Sequence, residues 1–470
     1  SDEEQVRAYL RLGLGVPIAS LLDAYVGKDR GERLLWNAYA SHYGSYGAVK
    51  NTASDDVPTL DMRNDVGATV QYNFESALLY ANLGFRQHSV RFYGYDPDSF
   101  RLDDYKALGE EQVRQHFNHT YANLSYRSKG FPDQTWSYAA SFGYYNHSSR
   151  TKQAENALSF NLSASKEVED VATFALAASA DAYLRSEQLA ERNNVIVSVK
   201  PQATRRQDWW EATAKLNLTF DNADGAVKTY LYPTLGFTAF VLEDAFVPFA
   251  EISGGHEANT YAAITDLNPY LAPDTAPTLR SSRSTFQIKG GVRGMLSSML
   301  GYKVALEYAF VNDMLFFAAA QRPDGLGSYF DALYDNVTRF TLDGNLYFRP
   351  AREAEIRYAL RYDAYGMDKL PKPYGRPALS MALEGAYNLW NKLGLQASLN
   401  LYGGYAALGY DGRPLERPLG VDLSLGASYS FFDRSSVFLR ASNLLASRYH
   451  LYSGYPSYGF NLLVGYSCIF

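Results

Sequence analysis

Seven histidines, one cysteine and a scatter of carboxylates are the residues of this 470-residue chain that could do chemistry. His116 and His119 stand three apart, which on a strand puts them on opposite faces, so they cannot chelate one ion. His256 lies in GGHEANTY beside Glu257, a pair that reads more simply as a solvated rim than as a site. His42, His88, His147 and His450 fall near strand ends, where a polar aromatic is unremarkable. Residues 426–430 read GASYS but lack the strand–turn–helix setting of a nucleophile elbow. Gly13 and Gly15 run into Val-Pro-Ile with no third glycine, so they make no phosphate loop. Asp363, Asp422 and Glu384 sit at strand spacing; a pair of such carboxylates could hydrolyse a glycoside, but they read more simply as the lining of a wet interior. Cys468 has no second cysteine, which rules out a disulfide or a thiolate cluster within the chain. The expectation is no enzyme, no metal and no cofactor.

The elements that carry these residues alternate with period two. Trp210, Ala212, Ala214, Leu216, Leu218 and Phe220 oppose Glu211, Thr213, Lys215, Asn217 and Thr219. Ile356, Tyr358, Leu360 and Tyr362 oppose Glu355, Arg357, Arg361 and Asp363, and Glu384 falls on the same kind of polar face. Leu393, Leu395, Ala397, Leu399 and Leu401 oppose Gln396 and Asn400, and Val421, Leu423 and Leu425 oppose Asp422. Successive side chains of a strand point to opposite faces, so each segment has one oily and one wet side. The segments run about 10 to 16 residues, well past the usual globular strand.

Composition alone would pass for a soluble protein, with 20% charged and 47% hydrophobic residues. Mean hydropathy is negative and no apolar run is long enough for a transmembrane helix. The anomaly is 39 Tyr and 26 Phe, and tyrosine suits places where oil meets water. A net charge of −6 argues against a nucleic-acid partner.

Short turns at 166–170, 242–244, 349–353 and 391–393 alternate with long polar loops at 47–63, 94–110, 265–284 and 366–376. That asymmetry, with long loops expected after every odd-numbered strand, is the mark of an outer-membrane barrel. The fold predicted is all-β, a transmembrane antiparallel up-and-down barrel of about 22 strands, between about 20 and 22. It spans residues 1–470 as one domain, with both termini periplasmic and no plug domain. The first two strands meet within 16–33, and within 188–207 the stretch 194–200 reads as a strand. The chain opens on SDEEQ with no signal peptide. It closes on FNLLVGYSCIF, in which Phe460, Leu462, Val464, Tyr466, Cys468 and Phe470 share one apolar face. A closing strand of this kind must zip to the first, because lipid offers no partner to an open edge.

A terminal Phe470 with Tyr466 four positions earlier resembles the insertion signal read by the barrel-assembly machinery of Gram-negative bacteria. The stretch ASNLLASRYHLYSGYPSYGFNLLVGYSCIF resembles the last hairpin of TonB-dependent receptors. The stretches at 9–27, 91–96 and 248–271 resemble plug-less relatives of those receptors in Bacteroidota. The resemblance implies an outer-membrane location, lipid or lipopolysaccharide on the outer wall, and envelope partners such as surface lipoproteins or another barrel. The chain departs from the receptors in that its first strand begins within ten residues of Ser1, with neither plug nor TonB box ahead of it.

A 22-strand barrel has a diameter on the order of 40 Å, too wide for side chains to fill. Its longest loops, about 17 to 20 residues each, are too short to pack it, so the expected stopper is a missing segment or another protein. Three functions are then open: a membrane-embedded subunit of an envelope complex, a nutrient importer with its plug upstream or in trans, and a passive pore. Deleting Phe470, or Tyr466→Asp, is expected to lower the amount of barrel assembled in the outer membrane, since lipid-facing charge costs about 2–4 kcal/mol at the midplane and less near the interface. Wild-type levels of both variants in outer-membrane fractions would remove the insertion role of the terminus.

Overall fold

The computed structural model describes residues 6–130, 136–189, 192–223, 225–320, 326 and 329–470. SDEEQ lies outside them. Twenty-two long strands make one antiparallel sheet. They are β1 (Val6–Val16), β2 (Ala19–Lys28), β3 (Leu34–Ser45), β4 (Asp61–Asn73), β5 (Ala77–Arg91), β6 (Arg114–Ser128) and β7 (Trp136–Ser149). Next come β8 (Gln153–Val168), β9 (Ala172–Glu187), β10 (Asn194–Arg206), β11 (Trp210–Ala223), β12 (Ala226–Ala239), β13 (Val247–Ala258), β14 (Ser281–Met295) and β15 (Leu300–Ala319). The last are β16 (Phe330–Ala351), β17 (Ala354–Met367), β18 (Leu379–Leu389), β19 (Leu393–Tyr402), β20 (Gly420–Phe432), β21 (Ser435–Ser442) and β22 (Asn461–Ile469).

Each strand pairs with its neighbours in sequence, and β22 returns to β1, Tyr9–Val16 running against Leu462–Ile469. The ladder reaches the final residue: Phe470 N donates to Ala8 O at 2.8 Å, and Ala8 N to Phe470 O at 3.3 Å. No edge is left on the sheet, as a wall in lipid requires. On the outer face Leu14, Leu83, Leu231, Leu235, Leu439 and Val464 stand exposed, part of an apolar band around the cylinder. At the short-turn end this band meets Trp136, Trp209, Trp390, Phe432 and Phe470, all exposed. Such rings belong at a membrane interface.

Two details of the closing strand differ from the sequence reading. Phe460 precedes the strand, which starts at Asn461. The apolar face is interrupted, because Cys468 is covered by its neighbours while Ile469, on the other face, is exposed. The stretch 194–200 is part of a wall strand running on to Arg206.

The long connections, 46–60, 92–113, 259–280, 368–378, 403–419 and 443–460, all follow odd-numbered strands and lie at one end. The expected regularity is incomplete, since 17–18, 150–152 and 188–193 also follow odd strands and are short. The loops hold helices α1 (Leu102–Lys106), α2 (Glu110–Val113) and α3 (Tyr261–Leu267), and short hairpins such as Ala48–Lys50 with Asp56–Pro58.

The main buried core is not in the wall but in these loops. Val57, Phe92, Tyr93, Tyr105, Tyr261, Ile264, Tyr270 and Tyr455 form one cluster with the strand tops Phe117, Leu315 and Phe330. The contributing hairpins β5–β6, β13–β14 and β21–β22 are spaced about a third of the circumference apart in the closed strand order. Loops that start so far apart and pack together must meet over the mouth. This corrects the expectation that the loops are too short to obstruct the lumen, since loops from three sides of the barrel pack on one another.

Closure itself demands glycine at one point. Gly465 pairs with Gly13 across the β1–β22 join, and a Cβ on it would collide with the Phe438 ring and the Leu12 carbonyl oxygen. Gly465→Val should therefore lower the fraction of barrel that migrates as the folded form in unheated SDS gels, at a cost of about 1–3 kcal/mol. Gly344→Ala is the control, because nothing lies within 4 Å of that Cβ position; equal effects of the two would show that the join is not sterically set.

Candidate functional site

The cap is stitched by phenols. Tyr93 Oη donates to Pro456 O at 2.9 Å, Tyr410 Oη to Gly94 O at 2.5 Å, and Tyr452 Oη to Leu267 O at 2.8 Å. Each bond joins one loop to another, and each gives a loop carbonyl a donor. The Tyr270 and Tyr455 rings stack with centroids 3.8 Å apart, and Tyr93 meets Tyr455 edge-on at 4.9 Å. Burial pushes the Tyr93 and Tyr270 hydroxyls well above the ordinary phenol range, so both stay protonated donors. His450 accepts the Gly454 N–H at Nδ1. Burial, then the Arg417 charge, lowers its pKa to about 4, which keeps the ring neutral.

Carboxylates in the wall anchor the cap from below. Glu155 on β8 pairs with Arg185 on β9 at 2.7 Å, and the side chains are 0% and 3% exposed. The same carboxylate accepts the N–H groups of Tyr261 and Ala262 in the first turn of α3 and the Tyr145 hydroxyl. Thr260 caps that helix by accepting from Ala263 N. On β16, Asp335 accepts the N–H groups of Asp368, Lys369 and Leu370 and holds the 368–378 loop. In the 443–460 loop, Asn443 Nδ2 donates to Ser447 O and Tyr458 O.

Below the cap, the polar residues singled out in sequence fall into separate groups. Glu355, Arg357, Glu384 and Gln396 come together around a cavity of about 420 Å³ toward the short-turn end. Arg357 and Glu384 also border a larger one of about 750 Å³ with Arg293, Lys303 and Tyr302. Glu355 and Arg357 form an ion pair at 2.6 Å. Arg361 and Asp363 pair at 2.9 Å, and Thr341 donates to Asp363 at 2.6 Å. Glu211, Lys215 and Asn217 lie on another wall, β11, where Glu211 is 3.9 Å from Arg206 and Asn217 accepts from Thr219. Asn400 stands opposite Asp422 in register, but Asp422 is taken up by Tyr449 Oη and Ser424 and serves the cap. Of the terminal residues, Val464, Tyr466 and Phe470 are exposed on the outside, Leu462 is half-buried, and Phe460 is exposed ahead of the strand.

The histidines make hydrogen bonds rather than ligand sets. His119 Nδ1 is 3.1 Å from His147 Nδ1, and His147 Nε2 is 2.9 Å from Thr265 Oγ1 on α3. His256 finds its carboxylate in Asp221 on β11, at 2.9 Å, rather than in the adjacent Glu257 of the sequence reading. Among the described residues no three His, Cys, Asp or Glu side chains are grouped to hold a metal ion. Sequence reasoning missed Glu155, Arg185, Asp335 and Asn443. Glu155 and Arg185 do sit at wet positions of alternating strands, but their pairing depends on register.

No family model and no curated protein sequence matches the chain. Solved structures do match in fold. The FrpB iron transporter of Neisseria meningitidis aligns over 100% of this chain and 82% of its own, at TM-score 0.77 and 10% identity. The ferric enterobactin receptor PfeA of Pseudomonas aeruginosa aligns over 99% and 81%, at 0.72 and 12%. The siderophore receptor PirA of Acinetobacter baumannii aligns over 100% and 81%, at 0.72 and 11%. At such identities the likeness is one of fold: a 22-strand barrel like that of TonB-dependent receptors.

Glu155→Ala would leave Arg185 buried without its partner and two helix N–H groups unmet, a loss of about 3–5 kcal/mol for the charge alone. Limited proteolysis of intact cells should then cut within 259–280 faster than in wild type. Glu355→Ala, whose ion pair is partly solvated, should leave that rate unchanged. Equal rates in all three proteins would mean the cap does not hang on Glu155.

Proposed function

We propose that this chain is an integral barrel of the Gram-negative outer membrane, of the TonB-dependent receptor kind, that works as the membrane-embedded subunit of an envelope transport or assembly complex. The observation that carries this reading is the difference between the two ends. The long-loop end is closed by its own loops, which form the main hydrophobic core. The other end carries short turns such as 74–76, 169–171, 352–353 and 433–434, which at ~3.5 Å per residue cannot meet across a barrel of this width. A wet lumen sealed above and not below leaves its lower half, with the Arg357–Glu384 cavities, for a partner protein or a further segment of the same protein. In this orientation the cap faces outward, the first strand starts and the last strand ends on the periplasmic side, and the cap's rim offers surface lipoproteins or another barrel a platform. The outer wall binds lipid or lipopolysaccharide, and the barrel uses no cofactor and catalyses no reaction.

A second reading, a TonB-linked importer, is favoured by one observation. The matched transporter and receptors each extend about a fifth beyond the aligned part, room enough for a plug. A passive pore is disfavoured by the cap, although Lys215, Arg357 and Arg361 would supply its lining charge.

Purified barrel in a planar bilayer should show no large steady conductance, and removal of residues 92–113 should produce one. A large stable conductance from the intact chain would establish the pore instead. Affinity purification from envelopes in mild detergent should bring down a stoichiometric envelope partner; recovery only as a lone monomer would end the subunit reading.

A further inference from the structure

The wall is not evenly zipped. Strands β11 and β12 pair along their whole length, Trp210–Ala223 against Ala226–Ala239. Strands β12 and β13 pair only over Leu235–Thr238 and Phe249–Ile252. Above that short ladder the regular β12–β13 pairing stops, next to a proline on β12 and an irregular stretch of β13. Pro233 on β12 brings no N–H, and the β13 backbone shifts register between Ser253 and Gly255. A second proline, Pro201 on β10, flanks the same Leu216 from the other side, where the β10–β11 ladder also skips. Proline inside a central strand is exceptional.

Side chains bridge the two strands above the ladder. Tyr232 is 2% exposed and wedged against Gly254, where a Cβ would sit 3.0 Å from its Cδ1. Its hydroxyl lies 2.9 Å from His256 Nδ1 across the gap, and His256 Nε2 lies 2.9 Å from Asp221 Oδ2. Asp221 also accepts from Ser281, while its Oδ1 is buried with no partner among the described residues.

The two sides of this seam differ in chemistry. On the bilayer side, outside the short ladder, a mostly apolar cleft of about 520 Å³ is lined by Ala203, Leu235, Phe237 and Ile252, with Arg205 and Glu251 also bordering it. On the lumen side, at the top of the seam, a polar cavity of about 160 Å³ is lined by Arg185, Arg192, Lys228, Arg280 and Arg283 against the acids Asp221 and Asp313. Even after pairing with Glu155 and Asp313 the cavity keeps an excess of positive charge. From Leu235 up to Tyr230 is five residues, about 17 Å along the strand, a distance an extended acyl chain covers.

We propose that the β12–β13 seam binds a single-chain anionic amphiphile, its tail in the outer apolar cleft and its phosphate or carboxylate head in the basic cavity, reached through the Tyr232–His256 gap. The occupant follows from charge and from location: lipid lies against one side of the seam and arginine against the other. The unpartnered Asp221 oxygen suits a hydroxyl beside the anionic group. This goes beyond the complex-subunit reading and holds for the barrel by itself.

The test uses the full chain in phosphatidylcholine nanodiscs, with dodecyl phosphate, inorganic phosphate and dodecanol as probes and bound probe measured by equilibrium dialysis. Dodecyl phosphate should bind at least about tenfold more tightly than either other probe, since neither half alone uses both sides of the seam. Leu235→Trp, which fills the cleft, and Lys228→Glu, which reverses a charge at the head, should each weaken it by about tenfold. Leu83→Trp, equally lipid-exposed but on another wall, should not. Folding of each variant is read from its heat-modifiable gel migration. Equal binding of inorganic phosphate, equal binding of dodecanol, or the same loss in Leu83→Trp would each overturn the proposal. A barrel that recruits its partner yet fails these tests loses this inference and keeps the function proposed above.

Discussion

Everything in this molecule depends on backbone hydrogen bonding in a medium that offers none. In the bilayer core an unpaired N–H or C=O costs several kcal/mol, so a sheet placed there cannot keep an edge. The join of Val6–Val16 to Asn461–Ile469 removes both edges at once. Other features follow from that join. An even number of strands returns the chain to the end at which it started. Every long connection then lies at the other end. Small residues, Gly13 facing Gly465, stand where the first and last strands close on each other. Closing so many strands also sets the width, and the width creates a second problem, a lumen that wall side chains cannot fill.

Tyrosine is the residue that answers the second problem. A cap over a wet lumen must exclude water with its rings and still give each buried loop carbonyl a donor. Tyr93, Tyr410 and Tyr452 do both, each hydroxyl reaching a carbonyl on a different loop. The anchoring acids work from the other direction. Glu155 and Asp335 take loop N–H groups onto fixed wall positions, so loop ends are held by the rigid part of the structure. The excess of Tyr in the composition is thus used in part by the cap, and in part by the inner wall, where Tyr39 bonds Tyr121 and Tyr145 bonds Glu155.

The wall was legible in the sequence and the cap was not, for one reason. Alternation is local: Leu216 and Asn217 declare their opposite faces to any reader of the segment, and counting such segments reaches the observed strand number. The cap is made of contacts between loops remote in sequence, such as Tyr270 on Tyr455, and a loop judged alone looks too short. His256 shows the same limit within the wall. Its neighbour in sequence is Glu257, but the shift of register at Ser253/Gly255 turns it toward Asp221. The covered Cys468 and exposed Ile469 likewise depart from ideal alternation at the last strand's end, where packing against β1 and β21 decides exposure.

The β12–β13 seam tests the governing constraint at its weakest point. If lipid tolerates no unpaired backbone, two prolines on either side of Leu216 should be a liability. There the Tyr232 ring lies against Gly254, its hydroxyl bonds His256 on the next strand, and His256 reaches on to Asp221. A hydrogen-bonded ladder is cooperative and opens only as a unit, whereas a few side chains can turn aside one at a time. Local stability in a barrel therefore tracks how its strands are joined rather than how many there are. Among the described residues the shortest ladder of the wall is the one between β12 and β13, with an apolar cleft on its outer side and a basic cavity on its inner side.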